Sequence, residues 1–418
     1  MLNRIKKQLI EGKTLLLFGF LKGLAQVVPL IIAYVFSENT FGTYSLAKMV
    51  VFFFITMLTT PQVPFVVYAG RERAETGKIN KSFSIQATFF VFSIVLYVVL
   101  AVIFNGPIRR FAEVSVSDLI CMSLGFVGIA LSSFLSNLFL ALGQRVKNSL
   151  SDLAYGVIML AIIVGLAATG TLSIKTVFLT YFVSSIITLL IFAGTIPLRN
   201  LLPFDFSIIY FWKMFDFTKW VFMGATASFF IDWGDNAILK IFHATTGDIG
   251  QYSFAYQIFN GLAAMIYVLN SYFLPFVSEN VRDSGKMRNY LYSKKPRILL
   301  FGLAILTVVF FACPYAFQII YKGSYHSSVN ILRILLIGCA LVLYNTFYIP
   351  LMNAMKLYRF SQMVNVVHMI IKVILSLILI PMYGFYGAAC GTIVSYLCLT
   401  VMYEYYYQIK IKRLLFGS

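Results

Sequence analysis

Continuous apolar stretches of about 20 residues, separated by short polar loops, constrain the fold of this chain more than any other feature. A stretch of this length is what a helix needs to cross the hydrocarbon core of a bilayer, whereas the strands of a β-barrel would alternate apolar and polar residues. Only 11% of the 418 residues are charged, against about 25% in a soluble domain. The sequence therefore predicts an all-α integral membrane protein.

Twelve such stretches predict twelve transmembrane helices. They lie at roughly 15–36, 46–69, 84–105, 118–142, 152–169, 176–198, 219–242, 252–277, 298–320, 329–354, 362–382 and 387–407. Lys and Arg are concentrated in alternate loops and near both ends of the chain. The positive-inside rule therefore predicts a multi-pass protein with both termini in the cytoplasm.

A repeated segment divides the chain into two halves. FGTYSLA at 41–47 recurs as IGQYSFA at 249–255, so Gly42 corresponds to Gly250 at an offset of 208 residues. We expect two six-helix lobes, 1–200 and 219–418, with residues 201–218 as a cytoplasmic or interfacial connector. Because both halves begin in the cytoplasm, the two lobes would be related by an axis along the membrane normal, with a central cavity between them.

Two prolines follow the repeated segments at comparable distances. Pro64 and Pro275 each begin a Pro-Phe-Val sequence late in a predicted span. Proline removes a backbone hydrogen bond from a helix and bends it. A shared hinge and a fixed structural bend are equally compatible with this pattern.

Five basic residues lie within predicted spans, where an unpaired charge is costly. They are Lys22, Lys48, Lys240, Arg333 and Lys372. The first four are near enough to a span end to reach the interface, so each has a cavity-facing and an interfacial interpretation. Lys372 is deeper, and Asn365 and His368 share its helix face. We expect this polar face to contact protein or water rather than lipid.

Two acidic residues, Asp232 and Asp235, lie three residues apart in the seventh predicted span. They therefore share one helix face. They could bind a proton or cation for coupling, or one could form a structural ion pair with an intramembrane lysine, for which Lys22 and Lys372 are candidates. The sequence leaves both interpretations open.

No residue pattern indicates catalysis or a bound cofactor. There is no Walker A sequence and no nucleophile–base pair in a recognisable motif. The five cysteines and three histidines are scattered, so no metal site is predicted. The net charge of +18 is explained by cytoplasmic loops beside anionic lipid, without a nucleic-acid partner. We expect a protein that is not an enzyme.

Three segments resemble those of Wzx-type polysaccharide flippases, the O-antigen and capsule transporters. They are FGTYSLAK after the first span, DWGDNAILKIFHATTGDIGQYSFAYQI in the seventh and eighth spans, and IPMYGFYGAACGTIVSY at 380–396. These flippases belong to the multidrug/oligosaccharidyl-lipid/polysaccharide exporter superfamily, together with the multidrug and toxin extrusion (MATE) proteins.

The resemblance implies a MATE-like fold and movement of an undecaprenyl-diphosphate-linked oligosaccharide to the outer leaflet of the bacterial inner membrane by alternating access. The five intramembrane cations would then attract the diphosphate. Membrane lipids and the polysaccharide polymerase machinery are the other expected partners. Two alternatives remain: a cation-coupled MATE-type exporter of small organic cations, in which the aspartates are essential and the lysines dispensable, and a membrane assembly partner that transports nothing.

Overall fold

The protein is all-helical throughout the residues that the computed structural model describes, 27–60 and 62–416. Nine segments in these ranges are long and apolar enough to cross a membrane. They are Glu38–Thr59, Asn80–Ile103, Val116–Ala141, Arg145–Ala168, Ile174–Ala193, Thr246–Asn280, Ser284–Tyr321, His326–Ala354 and Arg359–Phe416. The predicted all-α membrane fold is confirmed.

The chain divides into two compact units. The first unit is Thr43–Phe229, and the second unit is Met1–Gly42 with Phe230–Ser418. The helices up to the middle of the chain are α1 (Val28–Val35), α2 (Glu38–Thr59), α3 (Gln62–Thr76), α4 (Asn80–Ile103), α5 (Asn105–Ala112), α6 (Val116–Ala141), α7 (Arg145–Ala168), α8 (Ile174–Ala193), α9 (Leu198–Leu201) and α10 (Ile208–Ile241). The later helices are α11 (Thr246–Asn280), α12 (Ser284–Asn289), α13 (Lys295–Tyr321), α14 (His326–Asn345), α15 (Tyr348–Ala354), α16 (Tyr358–Tyr406) and α17 (Lys412–Phe416), with π-helical turns at Tyr290–Lys294 and Tyr407–Ile411.

Three predicted boundaries differ from the helices. The second predicted span is divided, because α2 ends at Thr59 and α3 begins at Gln62. The second half of the predicted connector, 208–218, is the start of α10 and continues directly into the seventh predicted span. The last two predicted spans form one long helix, α16, which Gly384 interrupts with a φ of 56° and a ψ of −136°. Glycine tolerates this conformation because it has no Cβ.

In the first unit, a buried carboxylate joins α3 to the start of α4. Glu72 accepts hydrogen bonds from the backbone nitrogens of Lys81 and Ser82, each over 2.9 Å, and from Ser82 Oγ over 2.6 Å. The first N–H groups of a helix have no intrahelical partner and carry a partial positive charge. Glu72 therefore caps α4 from a neighbouring helix and fixes the two helices together.

In the second unit, the repeated glycines lie against each other where α2 crosses α11. A Cβ on Gly42 would overlap the carbonyl oxygen of Thr246, and a Cβ on Gly250 would overlap that of Glu38. Thr246 and Glu38 are themselves related by the 208-residue offset, so this crossing is locally two-fold symmetric. Small residues permit such close backbone contact between membrane helices. The crossing groups residues 27–42 with the second unit, although the repeat alone would group them with 43–200.

Candidate functional site

A buried ion pair joins α10 to α16 within the second unit. Lys372 Nζ lies 3.0 Å from Asp235 Oδ2, and the two side chains are only 1% and 3% exposed. Burying either charge alone would be expensive, but together they neutralise each other. This contact is one of the pairings that the sequence left open for Asp235.

Three hydroxyl groups complete the surroundings of the Asp235 carboxylate. Ser376 Oγ donates to Oδ1 over 2.6 Å, and Thr392 Oγ1 donates to Oδ2 over 3.2 Å. The Tyr252 hydroxyl also donates to Oδ2. The donors lie on α11 and on both sides of the interruption in α16, so one carboxylate connects four helical segments. A buried polar network that is satisfied in this way fixes one arrangement of its helices.

All three hydrogen-bond donors of the Lys372 ammonium have partners within the protein. Besides Asp235, it donates to the carbonyl oxygen of Ile231 and, over 3.4 Å, to the Tyr256 hydroxyl. An ammonium has three donors, so none remains for a ligand while these contacts persist. A role for Lys372 in binding substrate stays a prediction, and it would require this cluster to open.

Asp232 lies on the same helix face but has different surroundings. Its side chain is exposed, whereas Asp235 is buried. Within the described part of the chain, no residue forms a hydrogen bond or ion pair with Asp232. Lys372 is close enough to act on it electrostatically. The two aspartates therefore offer different chemistry: Asp235 is occupied by protein, and Asp232 is accessible.

The polar face of α16 packs against protein. His368 is buried, its Nε2 lies 3.0 Å from Ser395 Oγ, and its ring centroid lies 4.8 Å from that of Tyr396. Asn365, one turn earlier, is half-buried. His368 and Lys372 thus continue one buried polar stripe into Ser376, which the sequence analysis did not include.

Lys48 and Lys240 do not belong to this cluster. Lys48 is half-buried on α2, with its Nζ 5.8 Å from the ring centroid of Tyr44 and 5.6 Å from that of Phe52. Aromatic faces attract a cation through the negative charge of the ring face. Lys240 is half-buried in the last turn of α10. Neither residue is among the partners of Asp235.

Arg333 contacts α13 one turn before a proline. Its Nε donates to the carbonyl oxygen of Phe310 over 3.3 Å, and its guanidinium lies 5.1 Å from the Phe310 ring centroid. Pro314 follows Phe310 by four residues and has no N–H, so that carbonyl lacks its usual helical donor. Arg333 and the Cys313 thiol, whose Sγ lies 3.3 Å from the same carbonyl oxygen, together replace the hydrogen bond that the proline removes. This gives Arg333 a structural role.

The two prolines predicted as hinges occupy different positions in their helices. Pro64 is the third residue of α3, where a missing N–H breaks no helical hydrogen bond. Pro275 lies inside α11. The two prolines are therefore not equivalent in their helices, and the hinge role stays a prediction. Lys22 lies outside the described residues.

Sequence reasoning missed Tyr252, Ser376 and Thr392 as partners of Asp235. The repeat contained a signal for the tyrosine, because Tyr252 corresponds to Tyr44. In the first unit, the Tyr44 hydroxyl lies 3.1 Å from the Tyr181 hydroxyl. The same repeated tyrosine thus contacts a neutral partner in one half and a carboxylate in the other.

A second buried cation, also missed, lies where α13 begins. Lys295 Nζ donates to the Tyr348 hydroxyl over 2.7 Å and lies 3.7 Å from the ring centroid of Tyr344. Both tyrosines donate to Glu404 near the end of α16. This cluster fixes the start of α13 against α16 near the predicted cytoplasmic side.

Residues 71–330 match the sequence profile of the family described as "Polysaccharide biosynthesis protein". The chain belongs to this family. No curated protein sequence matches it.

Solved transporter structures share the fold of this polysaccharide biosynthesis family member. A structure of the lipid II flippase MurJ in an inward closed conformation has a TM-score of 0.76 and 16% identity, over 94% of this chain and 87% of that chain. An inward-facing MATE family transporter of the MOP superfamily has a TM-score of 0.72 and 13% identity, over 94% and 95%. The Vibrio cholerae MATE transporter VcmN in its bent form has a TM-score of 0.66 and 11% identity, over 97% and 98%. The fold is thus that of flippases and transporters rather than of an enzyme, and the predicted MATE-like architecture is confirmed.

Proposed function

We propose that this protein translocates undecaprenyl-diphosphate-linked oligosaccharide units from the cytoplasmic to the outer leaflet for surface polysaccharide synthesis. The observation that carries the proposal is the conjunction of the family match with the fold. A polysaccharide biosynthesis family is matched over residues 71–330, and the architecture resembles that of a lipid II flippase. A protein that carries a polysaccharide precursor across a membrane would account for both the family match and the fold.

The contacts of the intramembrane cations bear on which of them would bind the anionic diphosphate. Lys372 is neutralised by Asp235, and Arg333 is engaged by the Phe310 carbonyl. Lys48 in the first unit keeps an ammonium beside two aromatic rings. Lys48, Lys240, Arg333 and Lys372 remain the proposed diphosphate ligands within the described residues, and Lys48 is the one we test first, because it lies outside the Asp235–Lys372 pair.

Deletion of the gene tests the function directly. In a host without a second flippase, lipid-linked repeat units should accumulate in the cytoplasmic leaflet and surface polysaccharide should be lost. Leaflet location is measured by the accessibility of the glycan to an impermeant lectin in spheroplasts. Normal surface polysaccharide in the deletion strain would contradict the proposal.

A matched pair of variants tests the diphosphate ligand. Lys48→Gln should lower surface polysaccharide about ten-fold at equal protein level, because a charge-assisted hydrogen bond is lost, and Lys48→Arg should preserve most activity. If Lys48→Gln is fully active, the diphosphate binds elsewhere.

A cation-coupled exporter of small organic cations is the second candidate, and it is favoured by the exposed carboxylate of Asp232, which has no direct partner among the described residues. It predicts that purified protein in vesicles exchanges protons for a cationic dye and that Lys48→Gln is harmless. The assembly-partner function predicts neither dye transport nor accumulation of lipid-linked units.

The setting of the proposed activity follows from its substrate. The protein would lie in the bacterial inner membrane, with both termini in the cytoplasm where the repeat units are made. The flipped units would pass to the polysaccharide polymerase, which makes that machinery the proposed partner.

A further inference from the structure

Two helices of the second unit present large apolar side chains outward. The segment Ser284–Tyr321 is the least buried of the nine candidate spans, and Leu300 and Phe301 near the start of α13 are each 70% exposed. In the part of α16 that follows Gly384, Val401 and Tyr405 are 60% and 68% exposed. Apolar side chains that a membrane-spanning helix leaves uncovered face the lipid.

A groove lies between these two helices. α14 packs against both α13 and α16, whereas α13 and α16 do not pack along each other within the described residues. The π-helical turns beside them meet at one end, where the hydroxyls of Tyr292 and Tyr407 are 3.2 Å apart and the rings of Tyr292 and Phe416 are 6.3 Å apart. This is the predicted cytoplasmic end, so the groove begins at the headgroup level and runs into the bilayer.

Three arginines lie at the end of the groove where the two turns meet. Arg297 follows Tyr292 by five residues and Arg413 precedes Phe416 by three, so each lies within about two helical turns of that contact. Arg288 belongs to α12, which packs against α17, the helix of Arg413. All three side chains are exposed, and no described residue forms a hydrogen bond or ion pair with them.

The surplus of positive charge at this end favours an anionic partner. Residues 279–297 and 404–416 together contain nine basic and three acidic residues. Two of the acidic groups already have partners: Asp283 Oδ2 lies 3.5 Å from Lys286 Nζ, and Glu404 accepts hydrogen bonds from two tyrosine hydroxyls. Arginine binds phosphate through two parallel hydrogen bonds, and clusters of basic residues beside a membrane span attract anionic lipids.

We propose that this groove binds one anionic phospholipid, with its phosphate on Arg297 and Arg413 and its acyl chains along the exposed faces of α13 and α16. Arg297 precedes Leu300 and Phe301 by three and four residues, so one face of α13 offers both kinds of contact. A phospholipid supplies a phosphate and long apolar chains together, whereas a free phosphate supplies only the first. The inference does not depend on which substrate the protein transports.

Lipid binding to the purified full-length protein tests the site. Native mass spectrometry gives dissociation constants for phosphatidylglycerol, the anionic probe, and phosphatidylethanolamine, the zwitterionic one. Wild-type protein should bind phosphatidylglycerol about ten-fold more tightly. Arg297→Gln and Arg413→Gln should each weaken that binding about ten-fold, because a charge-assisted hydrogen bond is lost. Unchanged binding of phosphatidylethanolamine would show that the variants are folded.

Two further variants make the result specific. Arg110→Gln is the matched control, because Arg110 is an exposed arginine on α5 of the first unit, and it should bind phosphatidylglycerol as the wild type does. Arg413→Lys keeps the charge without the paired donors, so its affinity should fall between those of wild type and Arg413→Gln.

Three results would overturn the proposal. They are equal wild-type affinity for the two phospholipids, a loss in Arg110→Gln as large as that in Arg297→Gln, and full affinity for phosphatidylglycerol in both Arg297→Gln and Arg413→Gln. Displacement of phosphatidylglycerol by an equal concentration of undecaprenyl diphosphate would assign the groove to the transported lipid instead.

Discussion

At the scale of single residues, the Asp235–Lys372 pair shows how one contact changes the role that a charged residue can have. Read from the sequence, Lys372 is a deep cation that could attract a phosphate. In the structure it is 1% exposed and held by a carboxylate, a carbonyl and a phenol. Such a residue stabilises the helices around it, and its loss would expose the charge of its partner.

The pair predicts a pattern of stability among neutralising variants. Asp235→Asn and Lys372→Met should each destabilise the protein by about 3 kcal/mol or more, because each leaves one buried charge unpaired. The double variant removes both charges and should recover most of the loss. The measurement is the midpoint of thermal unfolding in detergent, with the fraction of folded protein determined by size-exclusion chromatography after heating.

The same double variant separates a structural pair from a coupling site. Full transport by Asp235→Asn/Lys372→Met would identify the pair as structural. A stable but inactive double variant would show that the charges themselves are needed for transport. Single variants as stable as the wild type would contradict the ion pair as described.

Arg333 gives a prediction with a built-in control. Arg333→Met should destabilise the protein by about 1 kcal/mol, because the Phe310 carbonyl loses a donor. In a Pro314→Ala background the restored backbone N–H can supply that donor, so the same change should cost less. A double-mutant cycle on the unfolding midpoint measures the difference, and equal costs in both backgrounds would contradict the structural role.

At the scale of helices, the crossing of α2 and α11 explains why glycine recurs in the repeat. Gly42 and Gly250 lie where a Cβ would overlap a carbonyl oxygen of the facing helix. Backbone atoms cannot move aside as the end of a flexible side chain can. The repeated sequence therefore encodes a close helix contact.

Alanine at these glycines should separate the two helices. We expect Gly42→Ala and Gly250→Ala each to lower stability by about 1–3 kcal/mol, the usual cost of overpacking. Gly70, in the middle of α3, has open space at its Cβ position, so Gly70→Ala should be neutral or slightly stabilising. Unfolding midpoints of the three variants compare them, and equal effects at all three sites would contradict a steric cause.

At the scale of the whole molecule, the distribution of basic residues predicts which loops face which side. The α12 region, with Arg282, Lys286 and Arg288, should be cytoplasmic, and the loop between α13 and α14 should face outward. Both regions contain an exposed serine, Ser284 and Ser324.

Cysteine labelling checks this orientation. Ser324→Cys should react with a membrane-impermeant maleimide in intact spheroplasts, whereas Ser284→Cys should react only after permeabilisation. The wild-type chain provides the background from its own cysteines. The reverse labelling pattern would place the termini outside.

The fold was largely predictable because its constraints are local to each segment. Apolar length specifies a membrane helix wherever it occurs, and most described helices coincide with predicted spans. The boundaries that differ, at Thr59, Ile208 and Gly384, depend on whether a helix continues past a polar or flexible residue. Packing of neighbouring helices decides that, and no single segment specifies it.

The candidate site was also predictable only in part. From the sequence alone came the spans, the repeat, the rarity of intramembrane charge, and hence Asp232, Asp235 and Lys372 as residues of interest. Only the tertiary structure decided that Asp235 takes Lys372 and that Asp232 remains accessible, because both aspartates share one helix face and differ only in what packs against them. Helix periodicity fixes the direction of a side chain, whereas its partner comes from another helix more than 100 residues away, brought there by the packing of the whole unit.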